Sequence, residues 1–458
     1  MAIDVQKQAP GTTDNGTNGD GVIPLTTVPY PPVGRSVRIV GEVKSVDYRQ
    51  TPHPKNQRGE LGVPMFNWYT NSISRDPLGR IATDRHAADT RNVVLAPVGK
   101  MKKGGVNPRR TEVRDPKVMS AHIKRVAKFI GFDIVGIAPV HPSFVYKGGR
   151  YQPDGSLQSG SDQDPTDPEV IAKQFPYAVV AIKAWDYDMG RAHRHRIGDA
   201  AYHFSQQEAH LLYQTLAGYI RELGYNVALG AGIPMPLAVA AGIGEMGRNG
   251  TVITEKFGSR LHMPDVILTD MPLVPDKPID LAVPDFCSYC RKCAITCPTN
   301  SVPFEGKVVH NGVEKYKINW LTCYRLRPHA DEHWESCLTC IAVCPYSKPV
   351  SWWHALAIHT LRTTPKPLRQ GVVRPLKWLD DRIWGKIPNK RVKWLGYDSG
   401  IPPGEKACTI AGCNAHQDEE AERAALGKGN IGYYFPLREN TRRFESGRRS
   451  RRGDIDAR

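Results

Sequence analysis

The sequence predicts a mixed α/β (or α+β) fold with a cysteine-rich module inserted in it. Two observations carry this prediction. Helical and strand patterns alternate between residues 118 and 284, which is typical of helices layered on a sheet. Eight of the ten cysteines then fall between Cys287 and Cys344, and such clustering at metal-ligand spacing indicates a metal site in a reducing compartment rather than a disulfide framework.

Length and composition set the class of protein. The 458 residues are enough for two or three domains, and 40% of them are hydrophobic, as in an ordinary globular protein. No run of eighteen apolar residues occurs, so the sequence predicts no membrane span. The first residues lack a basic stretch, an apolar stretch and a twin arginine. We therefore expect no export signal and a cytoplasmic location.

The net charge of +16 is strongly basic, which by itself favours a nucleic-acid partner. Much of the excess, however, lies in the segment 366–393 and in the tail 441–458, and no RNA- or DNA-binding motif accompanies it. The distribution favours a solvated face, or a docking patch for an acidic electron donor, over a nucleic-acid partner.

Composition and patterning divide the chain into six parts. We predict a disordered or extended arm over 1–30, a loop-rich region over 31–117, an α/β core over 118–284, the cysteine module over 285–350, a C-terminal region that completes or caps the core over 351–440, and a basic tail over 441–458.

The elements of the core follow from periodicity. Ile123, Ala127 and Ile130 recur at helical spacing, and Gly131 then ends the helix. A long amphipathic helix is predicted over 199–223, with Gly224 as its C-cap. Strands are predicted at 133–139, 177–185, 225–229, 252–254 and 265–268, and a Trp-rich helix after residue 348.

The first cysteine run predicts an iron–sulfur module. It reads C-x2-C-x2-C-x3-C-P and extends from Cys287 to Pro298, which is the ligand pattern of bacterial ferredoxins. Three thiolates on a tight turn can bind three corners of one [4Fe–4S] cluster, while the fourth, Cys297, points away and ligates the other cluster. Zinc is the alternative, because paired C-x2-C also binds zinc, but the C-x3-C-P endings favour clusters.

The second run reads C-x2-C-x3-C-P from Cys337 to Pro345 and lacks the first cysteine of the pattern. Cys323, fourteen residues upstream, can supply it. We therefore predict two ligand sets. The first cysteine set is Cys287, Cys290, Cys293 and Cys344, and the second cysteine set is Cys323, Cys337, Cys340 and Cys297. Cys408 and Cys413 stand apart, and we expect buried or idle thiols there.

A glycine-rich block precedes the module at residues 236–278. Its glycines permit a large ligand to approach the backbone closely. The block does not follow a strand and open a helix, as a dinucleotide fingerprint does, so the sequence disfavours a nicotinamide cofactor. The glycines in question are Gly242, Gly244, Gly247 and Gly250.

Four motifs together resemble the reductive dehalogenases, which are corrinoid and iron–sulfur enzymes that remove halide from organohalides. In order, the motifs are AGIGEMGRNG, TDMPLVPDKP, FCSYCRKCAITCP and SCLTCIAVCPYSKP. The resemblance covers residues 118–348. It implies a nitroreductase-like core, similar to vitamin B12 trafficking proteins, that binds cobalamin or a related corrinoid next to the nearer cluster. It also implies that the corrinoid is base-off, and we interpret His86 as a surface histidine.

The resemblance implies partners as well. Without an export signal or a fused reductase, the chain is similar to stand-alone, non-exported members. Such a member needs a separate low-potential electron donor of the ferredoxin or flavodoxin type, and it allows a homodimer. Two other functions stay open: an epoxyqueuosine reductase-like enzyme, which shares the corrinoid and both clusters but acts on tRNA, and an electron-transfer protein without catalysis.

Finally, the resemblance implies a tyrosine as proton donor, with a nearby cation that lowers its pKa from about 10. Tyr202 matches the tyrosine by its place early on the long helix, and both Arg260 and His262 match the cation. A tyrosine on an amphipathic helix is more often a packing residue, as we expect for Tyr213 and Tyr219. An apolar pocket for the halogenated substrate, or shielding of the clusters, is predicted for Trp334, Trp352 and Trp353.

Overall fold

The computed structural model describes residues 29–57, 60, 105–147, 167–191, 196–297, 299–325, 337–385, 393–394 and 397–398. The statements below concern these residues. Outside them lie His86, Trp334, Cys408 and Cys413, almost all of the predicted arm, and the whole of the predicted tail.

The described elements, numbered in chain order, are twelve strands and twelve α-helices. The strands are β1 (Arg38–Ile39), β2 (Ile134–Pro139), β3 (Tyr177–Ala184), β4 (Val227–Leu229), β5 (Gly244–Met246), β6 (Val252–Thr254), β7 (Leu261–His262), β8 (Ile267–Thr269), β9 (Val308–His310), β10 (Val313–Lys315), β11 (Lys393–Trp394) and β12 (Tyr397–Asp398). The helices are α1 (Pro52–Gln57), α2 (Pro116–Ile130), α3 (Pro168–Gln174), α4 (Tyr187–Arg191), α5 (Arg196–Glu222), α6 (Pro234–Ala240), α7 (Val283–Cys290), α8 (Lys292–Ile295), α9 (Trp320–Arg325), α10 (Thr339–Ala342), α11 (Trp352–Thr363) and α12 (Arg369–Trp384).

The central sheet has the strand order β2-β3-β8-β4, and β7 extends it by pairing with the end of β3. Each of these described pairings is antiparallel. The predicted alternation of helices and strands is therefore present, but the strands are not joined in parallel βαβ units. Of the two fold classes that the sequence left open, the structure is α+β.

Helices cover both faces of the sheet. On one face, α2 and α5 bury an apolar cluster that includes Ile123, Leu216 and Ile220. On the other face, α3 and α6 do the same with Ile171 and Leu237. Both faces of the sheet are thus buried, which explains why β3 is apolar along nearly its whole length.

The predicted elements of the core are confirmed within a few residues. The helix predicted from Ile123 is α2, and it ends at Gly131, whose φ is +123°. The long predicted helix is α5, followed by Gly224 with φ of +84°. These two positive φ values explain why glycine follows both helices. Strands β2, β3, β4, β6 and β8 correspond to the five predicted strands.

The cysteine module follows the core, and the last two long helices cover it. Ile358 and Leu361 of α11 and Val373 of α12 pack in one apolar cluster with Phe286 and Tyr346 of the module. The Trp-rich helix predicted after residue 348 is α11. Among the described helices, none is long and apolar enough to cross a bilayer.

Candidate functional site

The first cysteine set lines one cavity. Cys287 and Cys290 lie on α7, Cys293 lies on α8, and Cys344 follows α10. These four residues, with Arg248 and Tyr346, line one cavity. Cys344 is at least 51 positions from the other three cysteines in sequence, yet it lines the same cavity. This is the three-plus-one arrangement that the spacing predicted.

The local backbone brings the first three of these cysteines onto a tight turn. Arg291 adopts a left-handed conformation with φ of +52°, which ends α7 and begins α8. Burial raises the pKa of Cys287 and of Cys290 to about 12. As free thiols they would stay protonated, so thiolates are stable here only when a metal centre binds them.

The second cysteine set also comes together. The thiol of Cys340 lies within electrostatic range of Cys323, Cys337 and Cys297. Burial is the main cause of its raised pKa, and the charges of these three neighbours raise it further. Cys297 accepts a hydrogen bond from the backbone N–H of Ser301 at 3.2 Å. Cys323, which the sequence placed outside the run, is thus among the thiols around Cys340.

A single zinc ion and a cubane cluster need different spacings of their thiolate ligands. Within the described part of the chain, no group of three or more His, Cys, Asp or Glu side chains is close enough to hold a single metal ion. Tetrahedral zinc would bring its thiolates to about 3.8 Å from one another, given Zn–S bonds of about 2.3 Å. A cubane binds each thiolate to a different iron, so its four thiolates lie further apart than those of a zinc site.

Tyr202 lies on α5 and faces β7. Its ring centroid is 4.9 Å from that of His262, in an edge-on arrangement, and 6.2 Å from that of Trp185. The ring of His210, two turns further along α5, is 6.5 Å from His262. His262 is buried and Tyr202 is partly exposed. A phenol thus stands at the edge of a buried aromatic and histidine cluster.

Arg260 has a different environment from His262. Its guanidinium donates to the carbonyl oxygens of Trp185 at 2.8 Å and Ser347 at 3.1 Å, and more weakly to that of Lys348 at 3.4 Å. Burial lowers its pKa. Of the two basic residues predicted beside Tyr202, His262 is the one whose ring packs against it, while Arg260 joins β3 to the segment after Cys344.

The second cysteine set lies on the Tyr202 side of the module. Leu338 and Ile341, which flank Cys340, pack against the cluster that Trp185 forms with Met189 and Ala201. Trp185 is 3% exposed, and its indole N–H has no hydrogen-bond partner among the residues that the structure describes. An unsatisfied buried donor beside Tyr202 is the observation that fits a bound ligand here.

The predicted glycines are surrounded by protein. A side chain at Gly242 would meet the carbonyl of Lys277, and one at Gly244 would meet the carbonyl of Ile253. At Gly250, where φ is +68°, it would meet the side chain of Ile318. Gly247 is likewise closed off, by Ile253 and Asn249. Packing within the protein is enough to require glycine at these positions, so their contact with a corrinoid stays a prediction.

Two tryptophans line a groove rather than the Tyr202 site. Trp352 and Trp353 contribute to a groove of about 960 Å³ between α11 and α12, which Phe286 and Tyr346 also line. Trp353 stacks on Trp384 at 6.4 Å. The groove therefore lies beside the first cysteine set, which accords with the shielding role that the sequence left open.

The sequence analysis missed two buried charged residues of the glycine-rich block. Glu245 is 1% exposed and accepts hydrogen bonds from the N–H groups of Leu281 and Val283, at the start of α7. Arg248 is 2% exposed and donates to the carbonyl of Cys287. The sequence did contain a signal for them. A charged residue inside an apolar, glycine-rich segment is either exposed to solvent or buried with polar partners.

A family model described as a 4Fe-4S dicluster domain matches residues 286–348. The tetrachloroethene reductive dehalogenase of Sulfurospirillum multivorans is 29% identical over 275 residues, which are 55% of this chain and 54% of that protein. That of Desulfitobacterium hafniense is 30% identical over 323 residues, which are 62% of this chain and 55% of that protein. The chain is related to the reductive dehalogenases. The resemblance expected from the four motifs is thereby confirmed, and the chain spans about half the length of the curated relatives it matches.

A reductive dehalogenase also supplies the structural match. The solved structure of the catabolic reductive dehalogenase NpRdhA aligns with a TM-score of 0.65 and 20% sequence identity, covering 84% of this chain and 53% of that one. The two share a fold. A shorter match relates the chain to the epoxyqueuosine reductase of Listeria monocytogenes, 30% identical over 156 residues, which are 32% of this chain and 37% of that protein.

Proposed function

We propose that the protein is a corrinoid-dependent reductive dehalogenase that removes halide from an organohalide with electrons relayed through two [4Fe–4S] clusters. One observation carries the proposal: four cysteines line one cavity, and Leu338 and Ile341, next to Cys340, pack against Trp185, whose ring centroid is 6.2 Å from that of Tyr202. The curated relatives that match more than half of the chain are named for this reaction.

Each cysteine set would hold one cluster. The first set lines a cavity. In the second set, Cys297 accepts a hydrogen bond from the N–H of Ser301, and the Cys337 thiol donates one to the hydroxyl of Thr339. Because Leu338 and Ile341 place the second set toward Tyr202, electrons would enter at the first cluster and leave from the second. A separate low-potential donor of the ferredoxin or flavodoxin type would supply them.

The corrinoid, base-off and without a protein ligand, would supply a strongly reducing cobalt centre. The chain's own contribution beside it begins at Trp185, whose buried N–H lacks a partner and is free to donate to a bound ligand. Trp185 and Met189 would also keep water away from this side of the site, since both are buried. A dry site strengthens the electrostatic interactions within it.

Tyr202 would donate the proton. Replacement of halogen by hydrogen consumes two electrons and one proton and releases one halide ion, so the carbon fragment must receive a proton as the carbon–halogen bond breaks. Tyr202 is partly exposed and stands against His262. A protonated His262 would stabilise the phenolate left behind. Arg260 would act as a positioning residue, because it holds the carbonyls of Trp185 and Ser347.

Anaerobic reconstitution with iron, sulfide and cobalamin tests the proposal. We expect about eight irons and one cobalt per chain, and halide release from chlorinated or brominated substrates with a chemical reductant. Zinc, or fewer than about four irons, would exclude the clusters. Iron and cobalt without halide release, but with reduction of epoxyqueuosine in tRNA, would favour the alternative that the Listeria monocytogenes relative suggests. If the protein binds iron but no corrinoid, the result would favour the other alternative, an electron-transfer protein without catalysis.

A further inference from the structure

Arg248 lies in the wall of the cavity that the first cysteine set surrounds. Its Nε donates to the carbonyl of Cys287 at 3.0 Å. Nη1 donates to the carbonyls of residues 303 to 305, and Nη2 to the hydroxyl of Tyr316 at 3.3 Å. The guanidinium carbon lies 4.2 Å from the centre of the Tyr316 ring. The cation is thus held firmly, at 2% exposure, beside one ligand of the predicted cluster.

No carboxylate neutralises this charge among the described residues, since the hydrogen-bond partners of Arg248 there are carbonyl oxygens and a phenol. Lys292, in the same wall, is different. Its Nζ pairs with Asp380 at 2.5 Å and Asp381 at 3.1 Å. Arg369, on the far side of α7, pairs with Asp280 and Asp285. Carbonyl dipoles solvate Arg248 without cancelling its net charge, so its field acts on the cavity.

We propose that Arg248 is the countercharge of the cluster held by the first cysteine set and that it raises the reduction potential of this cluster relative to a neutral residue. The inference rests on the proposed cluster sites. Four thiolates give the oxidised cluster a net negative charge, and reduction adds one electron and breaks no bond. A fixed, desolvated cation stabilises the more negative, reduced form more than the oxidised form.

A raised reduction potential affects the direction of electron transfer. A cluster whose reduced form is stabilised accepts electrons from a donor more readily than it releases them. This property suits the cluster that lies further from Tyr202. Arg248 is thus a positioning and tuning residue, because it touches Cys287 and not the substrate.

Potentiometric titration of the full chain, followed by EPR, tests the inference without corrinoid or substrate. In Arg248→Gln, we expect the midpoint potential of the first cluster to shift to a more negative value, while that of the second cluster is unchanged. Arg248→Lys keeps the charge but loses the planar guanidinium group. Its first-cluster midpoint potential should stay close to the wild-type value. Arg125→Gln on α2 is the matched control, since Arg125 is exposed, and it should leave both potentials unchanged. The Cys323→Ala variant identifies which signal belongs to the first cluster.

Equal shifts in the Gln and Lys variants, or no shift in the Gln variant, would overturn the inference. If Arg248→Gln fails to assemble the cluster, Arg248→His decides. Its first-cluster potential should fall as the pH is raised through the titration of the histidine, and a flat profile would overturn the inference. If wild-type protein assembles no four-iron cluster, the cluster sites are wrong and the inference falls with them. If both clusters titrate as expected and no organohalide is consumed, only the proposed activity is wrong.

Discussion

The two cysteine sets have the same ligand chemistry in different surroundings. In the first set, Cys287, Cys290 and Cys344 are 9%, 7% and 8% exposed, and α11 and α12 cover the module on that side. In the second set, Cys323 and Cys337 are only half-buried. The first set is enclosed with an uncompensated cation, whereas the second adjoins the aromatic cluster around Tyr202. In the proposed function, burial and nearby charge rather than ligand type would therefore separate the cluster that accepts electrons from the cluster that delivers them.

The largest expected effect comes from breaking the second set. Cys323→Ala removes one thiolate ligand, so we expect loss or conversion of one cluster, with retention of the EPR signal of the other. Halide release should fall to background, because the remaining cluster no longer connects to the Tyr202 site. Cys290→Ala is the converse variant and should spare the second cluster. Two unchanged clusters in Cys323→Ala would show that Cys323 is not a ligand.

The next effect concerns the proton. Tyr202→Phe removes only the hydroxyl, so both clusters and the corrinoid should remain while dehalogenation slows by about 10²–10⁴-fold, the usual contribution of a general acid. Tyr213→Phe is the matched control on the same helix, because the Tyr213 hydroxyl donates to the carbonyl of Ala181 and is buried. Its turnover per folded molecule should stay near wild type. Near-normal turnover of Tyr202→Phe would remove Tyr202 from the mechanism.

A third effect tests how α7 is held. Burial raises the pKa of Glu245 from 4.5 to about 7, against the opposing effect of the hydrogen bonds from Val283 and Leu281. The folded protein then keeps a proton that the unfolded chain loses above pH 4.5, so the free energy of unfolding falls as pH rises from 4.5 to 7, by up to about 3 kcal/mol. Glu245→Gln should match wild type at pH 5 and be more stable at pH 8, as measured by thermal melting.

The control for this variant is Glu222→Gln, which replaces an exposed glutamate at the end of α5. Because it keeps Glu245, its stability should fall with rising pH in the same way as that of the wild type. A Glu245→Gln variant that follows the wild-type profile would show that Glu245 is ionised throughout this range.

The smallest expected effect distinguishes the role of Arg260 from that of His262. Arg260→Met leaves the buried carbonyls of Trp185 and Ser347 without donors, so we expect a loss of stability of about 1–3 kcal/mol. His262→Gln should change stability less and turnover more, because His262 packs against Tyr202. Melting curves and halide release, measured on both variants, distinguish the two roles. The reverse pattern would make Arg260 the partner of Tyr202.

The elements of the core could be predicted because each depends on local pattern. Apolar spacing predicted α2 and α5, and Gly131 and Gly224 marked their ends. The antiparallel order of the sheet could not be predicted in this way, because the paired residues of β3 and β8 are 88 or more positions apart. The surroundings of the glycine-rich block could not be predicted for a related reason, because its glycines also accommodate the backbone and side chains of distant residues.

By itself, the sequence predicted the cysteine ligands and their division into two sets, and it indicated the family to which the chain is related. This was sufficient because ligand type and spacing along one short turn already specify the chemistry of a cluster. Only the tertiary structure decided that His262 rather than Arg260 packs against Tyr202, and that Arg248 lacks a carboxylate partner among the described residues. Those properties depend on contacts between distant residues and on burial, which determine how strongly a charge acts.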